Sequence, residues 1–482
     1  MITRRTALEG LAALAAGPAV LRAARKPGDK PNLLALWTDQ QRADTLAAYG
    51  NHRYRVPALN RLAAESVVFD RCYVTQPVCT PSRSSVLTGL WPHRNGCVRN
   101  NIPLKPETKT LPELLGDASY RTAYMGKWHL GDELFAQHGF QHWVSIEDIY
   151  NRYFSPGRDR SARSSYHQFL LRLGYQPDSS GSFSRRFATT LPVEHSKPSF
   201  LAQEAVRFIL EHRAEPWILY VNTLEPHTPF SSALNDLHSE QETPLPPNYP
   251  GIPEGPEPEA YKNRRRKFAA GAEGFDLQRP EGWQRMQRNY AGLCSLVDQA
   301  FARILWALEV SGQAENTVVV HTSDHGEMMG SHSLMAKSVM YEEAVRVPLL
   351  LRAPFAQARP QRIEHPVSHI DLVPTLLELM GARDPGLDGR SLLGFLRGDR
   401  PPEDVFIQWT QDPSEGGPNG RTVITPEGWK LVLHDGDVSM LLDRRRDPFE
   451  MRNLYPHPEA GRLSAKIRQW QKRTGDRLSL PL

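Results

Sequence analysis

The run Asn32-Leu33-Leu34-Ala35-Leu36-Trp37-Thr38, ending abruptly in Asp39-Gln40, is the stretch on which the fold turns. A short, continuous apolar run of this kind reads as a strand buried on both faces. Three further runs follow the same plan. Tyr120-Arg121-Thr122 continues through Tyr124 and Met125 into Gly126, Lys127 and His129. Trp217 to Val221 leads to Glu225, Pro226 and His227, and Thr317 to Val320 leads to Asp324-His325-Gly326. Helical periodicity lies between them, at Ser199 to His212 and Tyr290 to Leu308. Such alternation predicts an α/β domain with a mostly parallel sheet. Ligands of these sheets bind beyond the carboxyl ends of the strands. The four polar clusters are therefore expected to meet on one edge and form one site.

A chain of 482 residues has room for one large catalytic domain and a smaller companion. Its apolar content of 40% is ordinary for a globular protein, and 40 prolines point to long ordered loops. A net charge of +4 argues against a nucleic-acid binder, so any preference for anions must be local. Arg4-Arg5, the apolar stretch from Ala7 to Leu21 and then Arg22, Arg25 and Lys30 have the pattern of a bacterial Tat export signal over residues 1–30. A basic amphipathic helix or an uncleaved anchor is the alternative. The run is too short to cross a bilayer and no other segment has the needed length and apolarity. The expectation is an exported protein, periplasmic or extracellular, whose mature form has no membrane span. The spacing of Cys72, Cys79, Cys97 and Cys294 fits neither a disulfide framework nor a zinc site.

Two stretches read as insertions that shape a substrate site or decorate the surface: Asn151 to Lys197 and Asn235 to Arg288. Within the second, Lys262-Asn263-Arg264-Arg265-Arg266-Lys267 reads as a solvated helix face. After Gly381 the texture changes. Val405 to Trp409, Arg421 to Ile424, Trp429 to His434 and Val438 to Leu442 are short runs separated by turn signals, which predicts an antiparallel meander. Pro458 to Lys472 then has helical periodicity, with Leu463, Ile467 and Trp470 on one face. The expected division is a catalytic domain at 31–380 and a C-terminal α+β subdomain at 381–482.

The sharpest motif is Cys79-Thr80-Pro81-Ser82-Arg83, continued by Ser84-Ser85-Val86-Leu87-Thr88-Gly89. Proline just inside a helix start is well placed, and the positive dipole end there favours an anionic nucleophile or a bound oxyanion. Local physics allows two readings of Cys79, a nucleophile or a buried free thiol. Asp39-Gln40 and Asp324-His325 offer hard donors for a divalent cation, or else a helix cap and a turn. Gly126-Lys127-Trp128-His129-Leu130-Gly131, Pro226-His227-Thr228-Pro229-Phe230 and the stretch Thr322 to Pro348, with Lys337, complete the set.

In combination these motifs resemble the type I, formylglycine-dependent sulfatase family of the alkaline-phosphatase-like superfamily. The resemblance runs from Asn32 to Leu454, nearly the whole mature chain. It implies a large mostly parallel sheet sandwiched by helices, with a smaller C-terminal α+β domain containing an antiparallel sheet. It implies that a formylglycine-generating maturation enzyme oxidises Cys79 to formylglycine (3-oxoalanine). The hydrated aldehyde has two hydroxyls on one carbon, one to attack sulfur and one to expel sulfate as the aldehyde re-forms. Asp39, Gln40, Asp324, His325 and the modified Cys79 would hold a divalent metal. Arg83 would hold the formylglycine oxygen, Lys127 and Lys337 would neutralise sulfate charge, His129 would drive sulfate elimination, and His227 would protonate the leaving alcohol.

Many sulfatases carry two adjacent aspartates where this chain has Asp39-Gln40. That lowers the ligand charge by one, with Ca²⁺ favoured over Mg²⁺ or Mn²⁺. It also keeps open a phosphonate monoester or phosphodiester hydrolase with the same machinery. A third reading is an inactive protein that binds sulfated glycans. The expected substrate is a sulfated small molecule or saccharide, by default a carbohydrate sulfate ester.

Overall fold

The computed structural model describes residues 30–356, 360–412 and 417–481. The predicted export segment lies outside them except for Lys30. Among the described residues nine strands form the main sheet: β1 (Asn32–Thr38), β2 (Val67–Tyr73), β3 (Arg121–Gly126), β4 (His142–Val144), β5 (Trp217–Asn222), β6 (Thr317–Ser323), β7 (Arg346–Val347), β8 (Leu349–Arg352) and β9 (Gln361–Ser368). Their order is β4-β3-β5-β1-β6-β8-β2-β7, with β9 also pairing β2. The four strands predicted from the sequence, β3, β5, β1 and β6, are adjacent and mutually parallel. The antiparallel pairs all involve β7 and β8.

Burial on both faces explains the unbroken apolar runs. Leu33, Ala35 and Trp37 of β1 face a core shared with Val86 and Leu87 of the helix Cys79–Thr88 and with the helix Leu372–Leu379. Leu34 and Leu36 face the opposite core, built with the helices Pro57–Ala64, Lys197–Glu211 and Pro280–Val310. The last of these corrects the sequence reading. Pro280–Val310 is long enough to span a membrane and holds an 18-residue window of mean hydropathy 1.3, yet 72% of that window is buried inside the protein. Its apolarity serves a core helix enclosed by sheet and neighbouring helices.

Register sets the strand ends level. Gly126 pairs with Asn222, Asn222 with Trp37, and Trp37 with Thr322, so one row of residues crosses β3, β5, β1 and β6. The chain leaves the sheet just beyond this row in each case. Gly126 has φ of 115°, and a Cβ there would stand 1.8 Å from the carbonyl oxygen of Asn222. Only glycine permits this close approach.

The C-terminal meander is a separate antiparallel sheet of β10 (Val405–Trp409), β11 (Gly420–Ile424), β12 (Trp429–His434) and β13 (Met440–Asp443). Val423, Leu431, Leu433 and Leu441 on one face pack on Leu463, Ile467 and Trp470 of the helix Pro458–Thr474. Ile407, Trp409, Ile424 and Val432 on the other face join the core of the main domain. The basic run lies on the helix Glu259–Ala269, where Lys262 and Arg266 are exposed beside Glu259 and Arg265 pairs with Glu257. All four cysteines are free and buried.

Candidate active site

Each predicted cluster emerges from the level strand ends. β1 delivers Asp39 and Gln40, β6 delivers Asp324 and His325, β3 delivers Lys127 and His129, and β5 delivers His227. A fifth strand, β2, leads through a short loop to Cys79, the first residue of the helix Cys79–Thr88, in which every residue is buried. Lys337 comes from the loop beyond β6. Gln40 and His129 have φ of 67° and 60°, a left-handed backbone that costs non-glycine residues on the order of 1–3 kcal/mol. Surrounding hydrogen bonds hold both in place.

The sulfur of Cys79 lies 3.2 Å from His325 Nε2, 3.9 Å from Lys127 Nζ and 4.0 Å from Asp39 Oδ1. Donor atoms of Asp39, Cys79, Asp324 and His325 all fall within 4.8 Å of one another, and all four residues are buried. His325 Nδ1 donates to the carbonyl of Gly326 at 2.9 Å, so in the neutral ring the lone pair is on Nε2. That nitrogen stands 3.7 Å from Asp39 Oδ1 and 3.5 Å from Asp324 Oδ1. Lone pairs therefore converge in a buried space, which is the chemistry of a cation cradle.

Arg83 makes its hydrogen bonds to the outer side of this cradle. Nη2 donates to Asp39 Oδ2 at 3.0 Å, Nε to Asp324 Oδ2 at 2.8 Å and Nη1 to the carbonyl of Lys127 at 2.8 Å. It positions both carboxylates directly, and position 79 through them. Lys127 Nζ donates to Asp39 Oδ2 at 2.6 Å. Lys337 Nζ donates to the amide oxygen of Gln40 at 2.6 Å, while the Gln40 amide nitrogen donates to Glu327. The Gln40 backbone N–H donates to Asp324 Oδ1 at 3.0 Å.

The balance of charge sets the protonation states. Burial raises the proton affinity of Asp39, but Lys127, His227, Arg83 and Lys337 outweigh it and hold the carboxyl well below its ordinary range. Burial and Asp39 push the Cys79 thiol up, while Lys127, Lys337 and His325 bring it below its ordinary value. Burial, then Lys127 and Arg83, drive His129 well below 6.5, and burial with Lys337 does the same to His227. His129 Nε2 donates to Asn101 Oδ1 at 3.0 Å, and Nδ1 is buried without a partner among the described residues. A neutral imidazole with a free lone pair is equipped to act as a base. His227 Nδ1 faces the carbonyl of Thr228 at 2.9 Å and the ring is partly exposed. No direct hydrogen bond joins His129 or His227 to the cradle carboxylates among the described residues. They flank it.

Several supporting residues escaped the sequence reading. Glu133 accepts from the backbone N–H groups of Trp128 at 2.9 Å and His129 at 2.7 Å, which fixes the strained turn. Asn101 selects the His129 tautomer, and Thr80 donates to the His129 carbonyl at 2.8 Å. Glu327 lies inside the quoted stretch Thr322 to Pro348, so its adjacency to Asp324 was the available signal. The Tyr150 ring lies 4.5 Å from that of His129.

A two-sided parallel sheet with a buried acidic and basic cluster beyond its strand ends defines a hydrolase fold of the alkaline-phosphatase-like type. A family model described as Sulfatase matches residues 31–382, and one described as N-sulphoglucosamine sulphohydrolase, C-terminal, matches residues 330–475. The chain belongs to the sulfatase family and is a sulfuric ester hydrolase. It is 30% identical over 442 residues to the uncharacterized sulfatase YidJ of Escherichia coli K12, covering 88% of this chain and 83% of that one. It is 26% identical to an N-acetylglucosamine-6-O-sulfatase of Bacteroides thetaiotaomicron, covering 92% and 86%. Among solved structures, the phosphonate monoester hydrolase SpPMH of Silicibacter pomeroyi matches with a TM-score of 0.77 at 24% identity, covering 92% of this chain and 96% of that one. That likeness is one of fold.

Proposed function

We propose that this protein is an exported sulfatase that hydrolyses a carbohydrate sulfate ester through a formylglycine derived from Cys79. The observation that carries the reading is the place of Cys79. Its sulfur heads a fully buried helix and touches His325 Nε2 at 3.2 Å, between Lys127 and Asp39. An inert core thiol has no use for these neighbours. The carbohydrate substrate is supported by the relationship to an N-acetylglucosamine-6-O-sulfatase. Export rests on the twin-arginine pattern at Arg4-Arg5.

Asp39, Gln40, Asp324 and His325, together with position 79, are assigned to hold a divalent cation, Ca²⁺ by preference. When bound, the cation supplies Lewis acidity toward a sulfuryl oxygen. The Gln40 oxygen has a second lone pair for this role beside the one taken by Lys337. Formylglycine, made by a maturation enzyme at position 79, would as its hydrate supply two hydroxyls on one carbon, one nucleophilic toward sulfur and one from which the aldehyde re-forms. Lys127 and Lys337 offset the negative charge of the sulfuryl oxygens. His227, at the partly exposed mouth, hands a proton to the departing alcohol oxygen. His129, with its free Nδ1, accepts the proton of the second hydroxyl.

Peptide mass spectrometry after co-expression with a maturation enzyme is expected to find formylglycine at position 79. Cys79→Ala is expected to fold and to lose essentially all turnover of sulfate esters. Wild-type-like turnover by that variant would overturn the mechanism. An unmodified thiol would favour an inert glycan binder.

A second reading, phosphonate monoester or phosphodiester hydrolysis, is favoured by one observation: an uncharged Gln40 where many sulfatases have a second aspartate. Rates on an aryl sulfate and an aryl phosphonate, measured side by side, separate the two.

A further inference from the structure

One ion cluster beside the site is left over by this mechanism. Glu147 is buried and accepts from Arg185 Nε at 2.6 Å, from Arg185 Nη2 and from Lys197. Two cations thus share one carboxylate. Glu225 lies nearby, but burial pushes its carboxyl up to about 7, so it offsets the excess charge only in part. Arg185 Nη2 also donates to Tyr150 Oη at 3.0 Å, and the Tyr150 ring lies 4.5 Å from that of His129. The guanidinium is therefore one side chain removed from the proposed base. Its charge acts on His129 and on His227, adding to burial and the lysines in lowering their proton affinity. Among the described residues Nη1 makes no hydrogen bond, and the side chain is 20% exposed. Arg185 and Lys197 both belong to the stretch Asn151 to Lys197, which the sequence marks as an insertion.

We propose that Arg185 is a specificity residue. Held by Glu147 and Tyr150, it keeps the two N–H donors of Nη1 for a second anionic group of the substrate, a carboxylate or a sulfate. The substrate class is then a saccharide with another anion close to the ester that is cleaved. The two N–H groups of Nη1 can donate to either oxyanion. This inference rests on the sulfatase reading above.

The test compares kcat/KM for wild type, Arg185→Gln and Arg185→Lys on three sulfate esters. One is a neutral aryl sulfate, one a sulfated disaccharide with a uronate carboxylate, and one a disaccharide with a second sulfate. Wild type is expected to prefer at least one anionic disaccharide, and that preference should weaken as ionic strength rises. Arg185→Gln is expected to cut the ratio of anionic to aryl substrate at least about tenfold, chiefly through KM, with Arg185→Lys between. Which disaccharide suffers more identifies the anion. If the glutamine variant does not fold, the lysine variant, which keeps a charge opposite Glu147, carries the comparison. An unchanged ratio for both disaccharides, or a wild type that prefers the aryl ester, overturns the proposal. A wild type that cleaves aryl phosphonates and no sulfate ester overturns the sulfatase reading instead. Arg185 is then tested on a neutral and an anionic phosphonate in the same way.

Discussion

Lys127 Nζ lies 2.6 Å from Asp39 Oδ2, with both side chains closed off from water, although they leave strands β3 and β1 that are separated by β5. Level strand ends make this pair possible. Removing the lysine strips Asp39 of the counter-charge that acts on it most strongly in a site where water cannot substitute. Lys127→Ala is expected to lower kcat/KM by about 10²–10⁴ and stability by about 3–5 kcal/mol, read from steady-state kinetics and thermal melting. Turnover like that of wild type would show that the ammonium has no part in the reaction.

Cation binding should stabilise the fold. Addition of Ca²⁺ to EDTA-treated protein is expected to raise Tm, by on the order of 3 kcal/mol of stability at a hundredfold excess over Kd. Asp324→Asn should lose most of the shift. A cation needs the lone pair on His325 Nε2. Burial lowers the proton affinity of that ring, but Asp324 outweighs it and holds it above 6.5 in the cation-free protein. Protons therefore compete with the cation, and the Tm shift should be larger at pH 8 than at pH 5.5. Equal shifts would contradict the assignment of His325.

A general acid must be protonated before it can act. Burial, then Lys337, hold His227 well below 6.5 in the free protein. The pH profile of kcat/KM, which reports the free enzyme, should fall with rising pH along a limb that begins below pH 6.5. Bound sulfate adds negative charge, so the corresponding limb of kcat should lie higher. His227→Ala should remove the limb, with a smaller rate loss on esters of acidic phenols than on esters of sugars. A limb that survives the substitution belongs to another group.

Glu147 links the insertion to acid stability. Its carboxyl titrates at about 2 against an ordinary 4.5, because Arg185 and Lys197 outweigh the opposing effect of burial. A depressed carboxyl stabilises the folded state above its unfolded pKa and loses that contribution as pH falls toward the folded one. Glu147→Gln is expected to cost about 3 kcal/mol at pH 7, and the gap to wild type should close between about pH 4.5 and pH 2. A gap that does not change with pH would mean that packing, and not charge, is lost.

The four central strands were legible because burial on both faces demands continuous apolar residues, and β1 begins and ends where the pattern says it does. β2, which carries the chain toward Cys79, was not. Asp70 and Arg71 interrupt its apolar run, and both lie toward the sheet's edge, where Arg362 pairs with Asp70 and Arg71 reaches the carbonyl of Glu364. The long helix Pro280–Val310 shows the converse. Its composition alone cannot separate a core helix from a membrane span, and the protein packed around it decides.

The candidate site residues stand in local motifs, since Cys79, Lys127, His129, His227 and the Asp324 cluster each lie within two residues of a glycine or proline at the end of an element. The runs predicted the parallel sheet and that the clusters meet at one edge, whereas the role expected of each residue came from the resemblance to the sulfatase family. Neither could say that Arg83 reaches Asp39 and Asp324, that Gln40 lies between Lys337 and Glu327, or that Asn101, Glu133 and Tyr150 surround His129. Those contacts join single polar residues far apart in the chain. No periodicity or spacing encodes such partners, because their pairing depends on loop paths that only the packed core makes definite.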